Sequence, residues 1–228
     1  MSIWSRIAEA LSALASGEGL GRVFDNLRVS PQRSPDRSVG FTIAVIALGA
    51  KMAKADGQVT RDEVTAFRRV FMIPKGEEAS AARVFNLARQ DVAGFDAYAR
   101  KIRAMFGPDD RDVLIDLMEG LFHIAMADGE FHPSEEEFLR EVARIFGLDA
   151  RCFNALRARH VKDDPYAVLG VTPDASLEDV RKAWRAAVKS SHPDVMIARG
   201  VPAEAMKLAE DRVRAINAAW EAISKQAA

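Results

Sequence analysis

His192, Pro193 and Asp194 stand in a row near the end of the chain, a titratable ring and a carboxylate on either side of a residue that fixes the backbone. Just before them come four cations, Arg181, Lys182, Arg185 and Lys189. Arg181, Arg185 and Lys189 recur every fourth residue, so on a helix they form a basic ridge with Lys182 beside it. The chemistry on offer is polar contact and positive charge. Taken singly, a His-Pro-Asp loop is most often a polar turn and a basic ridge most often a solvated face.

Two Asp-Gly turns offer a second candidate chemistry. Ala-Lys-Ala-Asp-Gly ends at Gly57, and Ala-Met-Ala-Asp-Gly ends at Gly129. Asp56, Gly57, Val59 and Glu63 fall at positions 5, 6, 8 and 12 of a calcium loop, as do Asp128, Gly129, Phe131 and Glu135. Positions 1 and 3 would then be Met52 and Lys54, or Ile124 and Met126, which cannot serve a cation that wants six to eight oxygens. The turns are therefore expected to be structural. Glycine ends one helix, and Thr60 with Glu63, or Ser134 with Glu137, fits a capping box for the next.

Other reactive residues are sparse. Cys152 is the one cysteine, which excludes an internal disulfide and a cysteine-rich zinc site, and its context reads as a packed helix face. His123 and His132 flank the second turn, with no ligand-like neighbour expected at helical spacing, so both read as packed or solvated. There is no Gly-rich phosphate loop. No metal, no cofactor and no enzymatic activity are expected.

Composition narrows the class. Lys and Arg number 32 against 33 Asp and Glu, for a net charge of −1, which gives no global pull toward nucleic acid. Half of the chain is hydrophobic, enough for packed cores, and good helix formers dominate. The most apolar run, Phe41 to Ala50, is about half the ~18 residues that span a bilayer. Residues 1–15 lack the features of a signal peptide. Ile3, Trp4, Ile7, Leu11 and Leu14 instead share one helical face that could dock on the domain, on a partner or weakly on a membrane. Only Arg6 is positive there, so the membrane ranks last. The expected location is the cytoplasm, with a peripheral place at the inner membrane as the alternative.

Periodicity then supplies the scaffold. Residues 1–38 read as an amphipathic segment followed by a linker containing Gly17, Gly19, Gly21, Pro31 and Pro35. Residues 39–160 read as an all-α bundle, with helices expected near 39–55, 61–73, 78–91, 95–105, 109–127, 134–146 and 149–160. The aspartates of the two turns are 72 residues apart (128 − 56), and each half of this internal repeat reads helix, turn, helix. Residues 161–228 follow a different pattern. Ser176 caps a helix to about Ser190, a loop runs from His192 through Gly200 and Pro202, and a last helix covers about 203–224. Val180, Trp184, Ala187, Val188 and Ser191 face Met206, Ala209, Val213, Ile216, Trp220 and Ile223, which predicts an antiparallel hairpin. Tyr166 and Leu169 would cover one end from a short leading helix.

DPYAVLGV from Asp164, then VRKAWRAAVKSSHPDV, then RVRAINAAWEAI resembles the J domain of the DnaJ family, over about residues 164–224. That resemblance implies a co-chaperone that promotes ATP hydrolysis by a DnaK-type heat-shock ATPase. His192 and Asp194 would supply polar contacts, Pro193 would hold the loop, and Arg181, Lys182, Arg185 and Lys189 would meet an acidic surface. Charge reversal should then matter more at Arg185 than at Arg199 in the loop. The chain departs from the family at Trp184, often Tyr, at Ala187, often Leu, and at Val195, often Lys, which bears on affinity more than on function.

ADGQVTRDE and ADGEFHPSEEE, within 39–150, resemble the tellurite-resistance TerB-like domain. TerB-like followed by J is the arrangement of DjlA-type J proteins. Some of these carry an N-terminal membrane anchor, which residues 1–16 are too short to provide. The TerB-like bundle would target clients or stress-response partners. The alternative is an interaction or sensor scaffold, whose bundle binds a partner or a cation and whose J-like segment is not productive.

Overall fold

The computed structural model describes residues 2–12, 20–28, 34–55, 67–68, 70–90, 94–107, 109–127, 129–161 and 164–226. The fold is all-α, with no strand among the described residues. Twelve α-helices are described: α1 Ile3–Ser12, α2 Gly21–Arg28, α3 Ser34–Ala55, α4 Glu78–Gln90, α5 Phe95–Met105 and α6 Arg111–Ala125, then α7 Pro133–Ile145, α8 Ala150–Val161, α9 Pro165–Leu169, α10 Leu177–Ser190, α11 Pro193–Arg199 and α12 Lys207–Gln226. A short 3-10 turn, Ala203–Ala205, precedes α12.

The long α3 is the axis of the bundle. Phe41 to Ala50 is apolar on nearly all sides, and every residue of that run is buried. A helix apolar all round must be enclosed, and α1, α2, α4, α5, α6, α7 and α11 all pack against this one. The apolar face of α1 docks on the same core rather than remaining free. Ile3, Trp4, Ile7 and Leu11 are buried, and Trp4 Nε1 donates to the Met72 carbonyl at 3.2 Å. Each such large side chain stabilises the dock by roughly 2 kcal/mol. No helix among the described residues is long and apolar enough to cross a membrane.

Two expectations change here. The stretch read as linker contains α2, and α3 begins at Ser34 rather than near 39. Leu20, Val23 and Phe24 are all buried, a short three-and-four spacing that the surrounding glycines obscure. The expected helix over 61–73, with Thr60 and Glu63, lies mostly outside the described residues, as do Asp56, Gly57 and Asp128. At the second turn Gly129 has φ 92°, as a helix-ending glycine requires. The helix that follows begins one residue before Ser134. Glu135, rather than Glu137, accepts from the cap residue's backbone, His132 N–H, at 3.0 Å.

The last segment has two sides. Helices α10 and α12 pair as a hairpin whose core is Val180, Ile216, Ala219 and Ile223, closed by Val168 and Leu169 of α9 and Ala158 of α8. Trp184 and Trp220 stack with ring centroids 5.2 Å apart, and Trp184 Nε1 donates to Asn217 Oδ1 at 2.9 Å. The other side joins the bundle. Met196, Val201, Ala205, Leu208 and Ala209 belong to the same continuous core as α3 and α6. Met72 N–H also donates to the Glu204 carbonyl at 2.8 Å.

Candidate functional site

Helix α10 starts where Ser176 Oγ accepts from Asp179 N–H at 3.1 Å, a side-chain cap with Glu178 and Asp179 in the first turn. The apolar face of α10 turns to α12, which leaves the four expected cations outward. Arg181, Lys182, Arg185 and Lys189 are all exposed. Lys182 reaches back to Glu178 at 3.0 Å and Asp179 at 3.7 Å. Arg181, Arg185 and Lys189 have no acidic partner among the described residues, so their charge is available to another molecule.

The helix stops at Ser191, which is buried and donates from both N–H and Oγ to the Ala187 carbonyl, at 3.1 and 2.7 Å. The chain then turns outward. His192 is extended, Pro193 takes the first helical position, and His192 Nδ1 accepts from Asp194 N–H at 3.2 Å. The His-Pro-Asp motif is therefore the capped start of α11, where an irregular loop was expected. The reason is local. Proline at the first turn suits a helix, and Gly200 with φ 109° ends it. His192 and Asp194 side chains are 61% and 87% exposed, with His192 Nδ1 3.7 Å from Asp194 Oδ2, so both are free to contact a partner.

Behind this surface lies a constellation that sequence reasoning missed. Asp116 and Glu119 of α6 are buried among apolar residues and face cations from three other helices. Arg212 of α12 places Nη1 2.6 Å from Asp116 Oδ1 and Nε 3.2 Å from Glu119 Oε2. Arg159 of α8 meets Glu119 Oε2 at 2.6 Å, and His160 Nε2 lies 3.1 Å from Glu119 Oε1. Arg199 of α11 reaches Asp116 at 3.6 Å and the exposed Asp112 at 3.0 Å. The network thus joins the J-like segment to the bundle.

Its electrostatics follow from burial and pairing. Burial opposes the Glu119 charge, but Arg159, Arg212 and His160 outweigh it and hold the carboxyl well below the usual carboxylate range. Burial pushes Asp116 up against the pull of Arg212 and Arg199. His123, on the next turn of α6 from Glu119, is pushed down to about 4, chiefly by burial and then by His160. Its Nε2 is buried without a hydrogen-bond partner among the described residues.

His123 therefore does have ligand-type neighbours, contrary to expectation. Glu119 precedes it by four residues, and His160 comes from α8 with ring centroids 4.7 Å apart. Donor atoms of Glu119, His123 and His160 all lie within 4.8 Å of one another. These donor types suit zinc. The Glu119 carboxylate is already engaged by two guanidiniums, so a dication would enter a network whose charges are balanced. The signal in the sequence was Asp116, Glu119 and His123 at three-and-four spacing on an otherwise apolar helix. Cys152 is a partly buried free thiol whose burial raises its pKa.

Residues 42–158 match the family of tellurite resistance protein TerB, and residues 164–228 match the DnaJ domain. The chain is 27% identical to the co-chaperone protein DjlA of Photobacterium profundum over 235 residues, covering 90% of this chain and 84% of that protein. It is 28% identical to the protein of the same name from Coxiella burnetii, over 85% of this chain and 80% of that one. With that of Escherichia coli it is 24% identical over 99% of this chain and 98% of that one. No solved structure matches the chain significantly.

Proposed function

Since the chain belongs to the DjlA-like J-domain proteins, a TerB-like bundle followed by a C-terminal J domain, we propose that it is a co-chaperone that stimulates ATP hydrolysis by a DnaK-type heat-shock chaperone. The observation that carries this reading is the presentation of His192, Pro193 and Asp194. The motif is intact, capped and outward at the end of a helix with a free basic ridge. The relatives bear the name co-chaperone, and the DnaJ-domain match covers the whole motif.

The roles follow from what each group offers. Arg181, Arg185 and Lys189 attract an acidic surface of the chaperone, which speeds a reversible encounter, and Lys182 contributes less because Glu178 and Asp179 screen it. His192 and Asp194 then make directional hydrogen bonds, while Pro193 holds the start of α11. The chain itself breaks no covalent bond in this scheme. Its TerB-like bundle brings clients or stress-response partners to the chaperone.

Single-turnover ATP hydrolysis by a DnaK-type chaperone tests the reading. The full chain accelerates hydrolysis, and Asp194→Asn loses the effect while helix content is unchanged, because Asp194 lies outside both apolar cores. Equal acceleration by the variant would refute the assignment.

A further inference from the structure

We infer that Arg199 is a positioning residue for the His-Pro-Asp turn, and that the bundle, through Asp112 and Asp116, fixes the pose in which the turn is presented. The inference rests on the co-chaperone reading only for its consequence in ATP hydrolysis, since the pose belongs to the free chain.

Arg199 closes α11 at the end opposite His192, yet its side chain returns to the base of the turn. Nη1 donates to the Ser190 carbonyl at 3.1 Å, the last residue of α10. The same guanidinium lies 3.0 Å from Asp112 and 3.6 Å from Asp116 on α6. One planar fork therefore joins the end of the ridge helix, the end of α11 and the bundle, which a lysine ammonium on a single point cannot do equally. The Arg199 carbonyl is held in turn. It accepts from Arg37 Nε at 3.1 Å, and Arg37 Nη2 pairs with Asp110 Oδ1 at 2.6 Å.

Packing around these bonds leaves little freedom. Met196, in the middle of α11, is fully buried in the bundle core. Gly200 combines a left-handed φ with close approach, since a Cβ there would meet Arg37 Cβ at 2.8 Å. The C-terminal end and one face of α11 are thus anchored, while His192 and Asp194 at the other end stay exposed. A J-type motif whose two helices were joined by a free loop would have no such tie to a neighbouring domain. In this chain the bundle does more than carry the J domain, because it sets the geometry of the contact residues.

The test uses the full chain, with Arg199→Ala, Arg199→Lys and Asp112→Asn. Amide hydrogen exchange reads the pose without any chaperone. In Arg199→Ala, protection at the Ser191 and Met196 amides falls about tenfold, the effect of losing one charge-assisted contact, while amides within α6 and α12 keep theirs. Asp112→Asn, on an exposed partner, gives a smaller loss at the same amides, and Arg199→Lys restores part of it. In single-turnover hydrolysis, maximal acceleration falls in Arg199→Ala, whereas the concentration giving half of it changes little because the ridge is intact. Unchanged protection at Ser191 and Met196 would overturn the inference, and so would a uniform loss across α6, α10 and α12, which would make Arg199 a general stabiliser. If the native chain fails to accelerate hydrolysis, the co-chaperone reading fails, and the exchange data still decide whether Arg199 holds the turn.

Discussion

Arg212 Nη1 and Asp116 Oδ1 meet at 2.6 Å, with 5% and 0% of the two side chains exposed. The pair joins the last helix of the chain to the centre of the bundle, beside the apolar contacts of Leu208 and Ala209. Two segments that read as separate domains in the sequence therefore share buried charge and buried apolar surface. The native chain should unfold in urea as one cooperative transition, followed by both circular dichroism and tryptophan fluorescence, to which Trp4 in the bundle and Trp184 and Trp220 in the hairpin all contribute. Asp116→Ala leaves Arg212 with Glu119 alone and should cost about 3 kcal/mol, the usual result of removing one partner of a buried pair. Two separated transitions in the native chain would contradict the shared core.

Stability should fall in mild acid because of His123. Its folded pKa, about 4, lies below the ordinary value of 6.5. Between those values the unfolded chain takes up a proton that the folded chain refuses. The contribution is fully present above about pH 6.5 and is lost as pH falls toward 4, by at most roughly 3 kcal/mol. His160, Glu119, Asp211 and Arg212 face this ring and set its balance, with the two carboxylates favouring protonation of His123 and with His160 and Arg212 opposing it. Glu119 adds in the same direction at lower pH, since its stabilisation is present above 4.5 and is lost as pH falls further. Urea midpoints from pH 7 to 5 should drop more for the native chain than for His123→Gln. Parallel curves would show that His123 is not the titrating group.

The second Asp-Gly turn should behave as a backbone device. Gly129 has φ 92° with nothing within 4 Å of an added Cβ, so substitution there is penalised by conformation and not by space. Gly129→Val should destabilise by about 1–3 kcal/mol, and Gly129→Asn by less, because Asn tolerates the left-handed region. Glu135 already accepts the His132 N–H. Calorimetric titration with calcium should therefore give no micromolar binding at this turn. Tight binding lost in Asp128→Asn would reverse that assignment.

Much of this was legible from residue pattern, and the failures have physical causes. The hairpin was visible because Val180, Ile216 and Ile223 repeat at helical spacing, and they do form one core. The enclosure of α3 was visible in its unbroken apolar run. Helix α2 was hidden because three buried residues, Leu20, Val23 and Phe24, gave too short a periodic signal among glycines. Met206 and Ala209 were assigned to the hairpin, but both pack with the bundle core, since a helix stripe does not state which neighbour it meets. The buried network was hidden for a related reason. The partners of Asp116 and Glu119, namely Arg159, Arg199 and Arg212, arrive from distant positions in the chain, which no local spacing shows.

Arg199 is consequently a poor comparison for the basic ridge. It was expected to lie in the loop and to matter less than Arg185, and it instead ends α11 with its side chain against Asp112 and Asp116. Lys75, exposed in the turn before α4, is a better control. Arg185→Glu should weaken chaperone binding and reduce its salt dependence, because an exposed charge acts through a screened field. Lys75→Glu should change neither. Equal effects at the two positions would reduce the ridge to a solvated face.

The most direct measurement is single-turnover ATP hydrolysis by a DnaK-type chaperone over a titration of the full chain, beside His192→Gln. The account predicts saturable acceleration by the native chain and none by the variant, with circular dichroism of the two alike. Acceleration that survives His192→Gln unchanged, or a native chain that leaves the hydrolysis rate where it was, would contradict it.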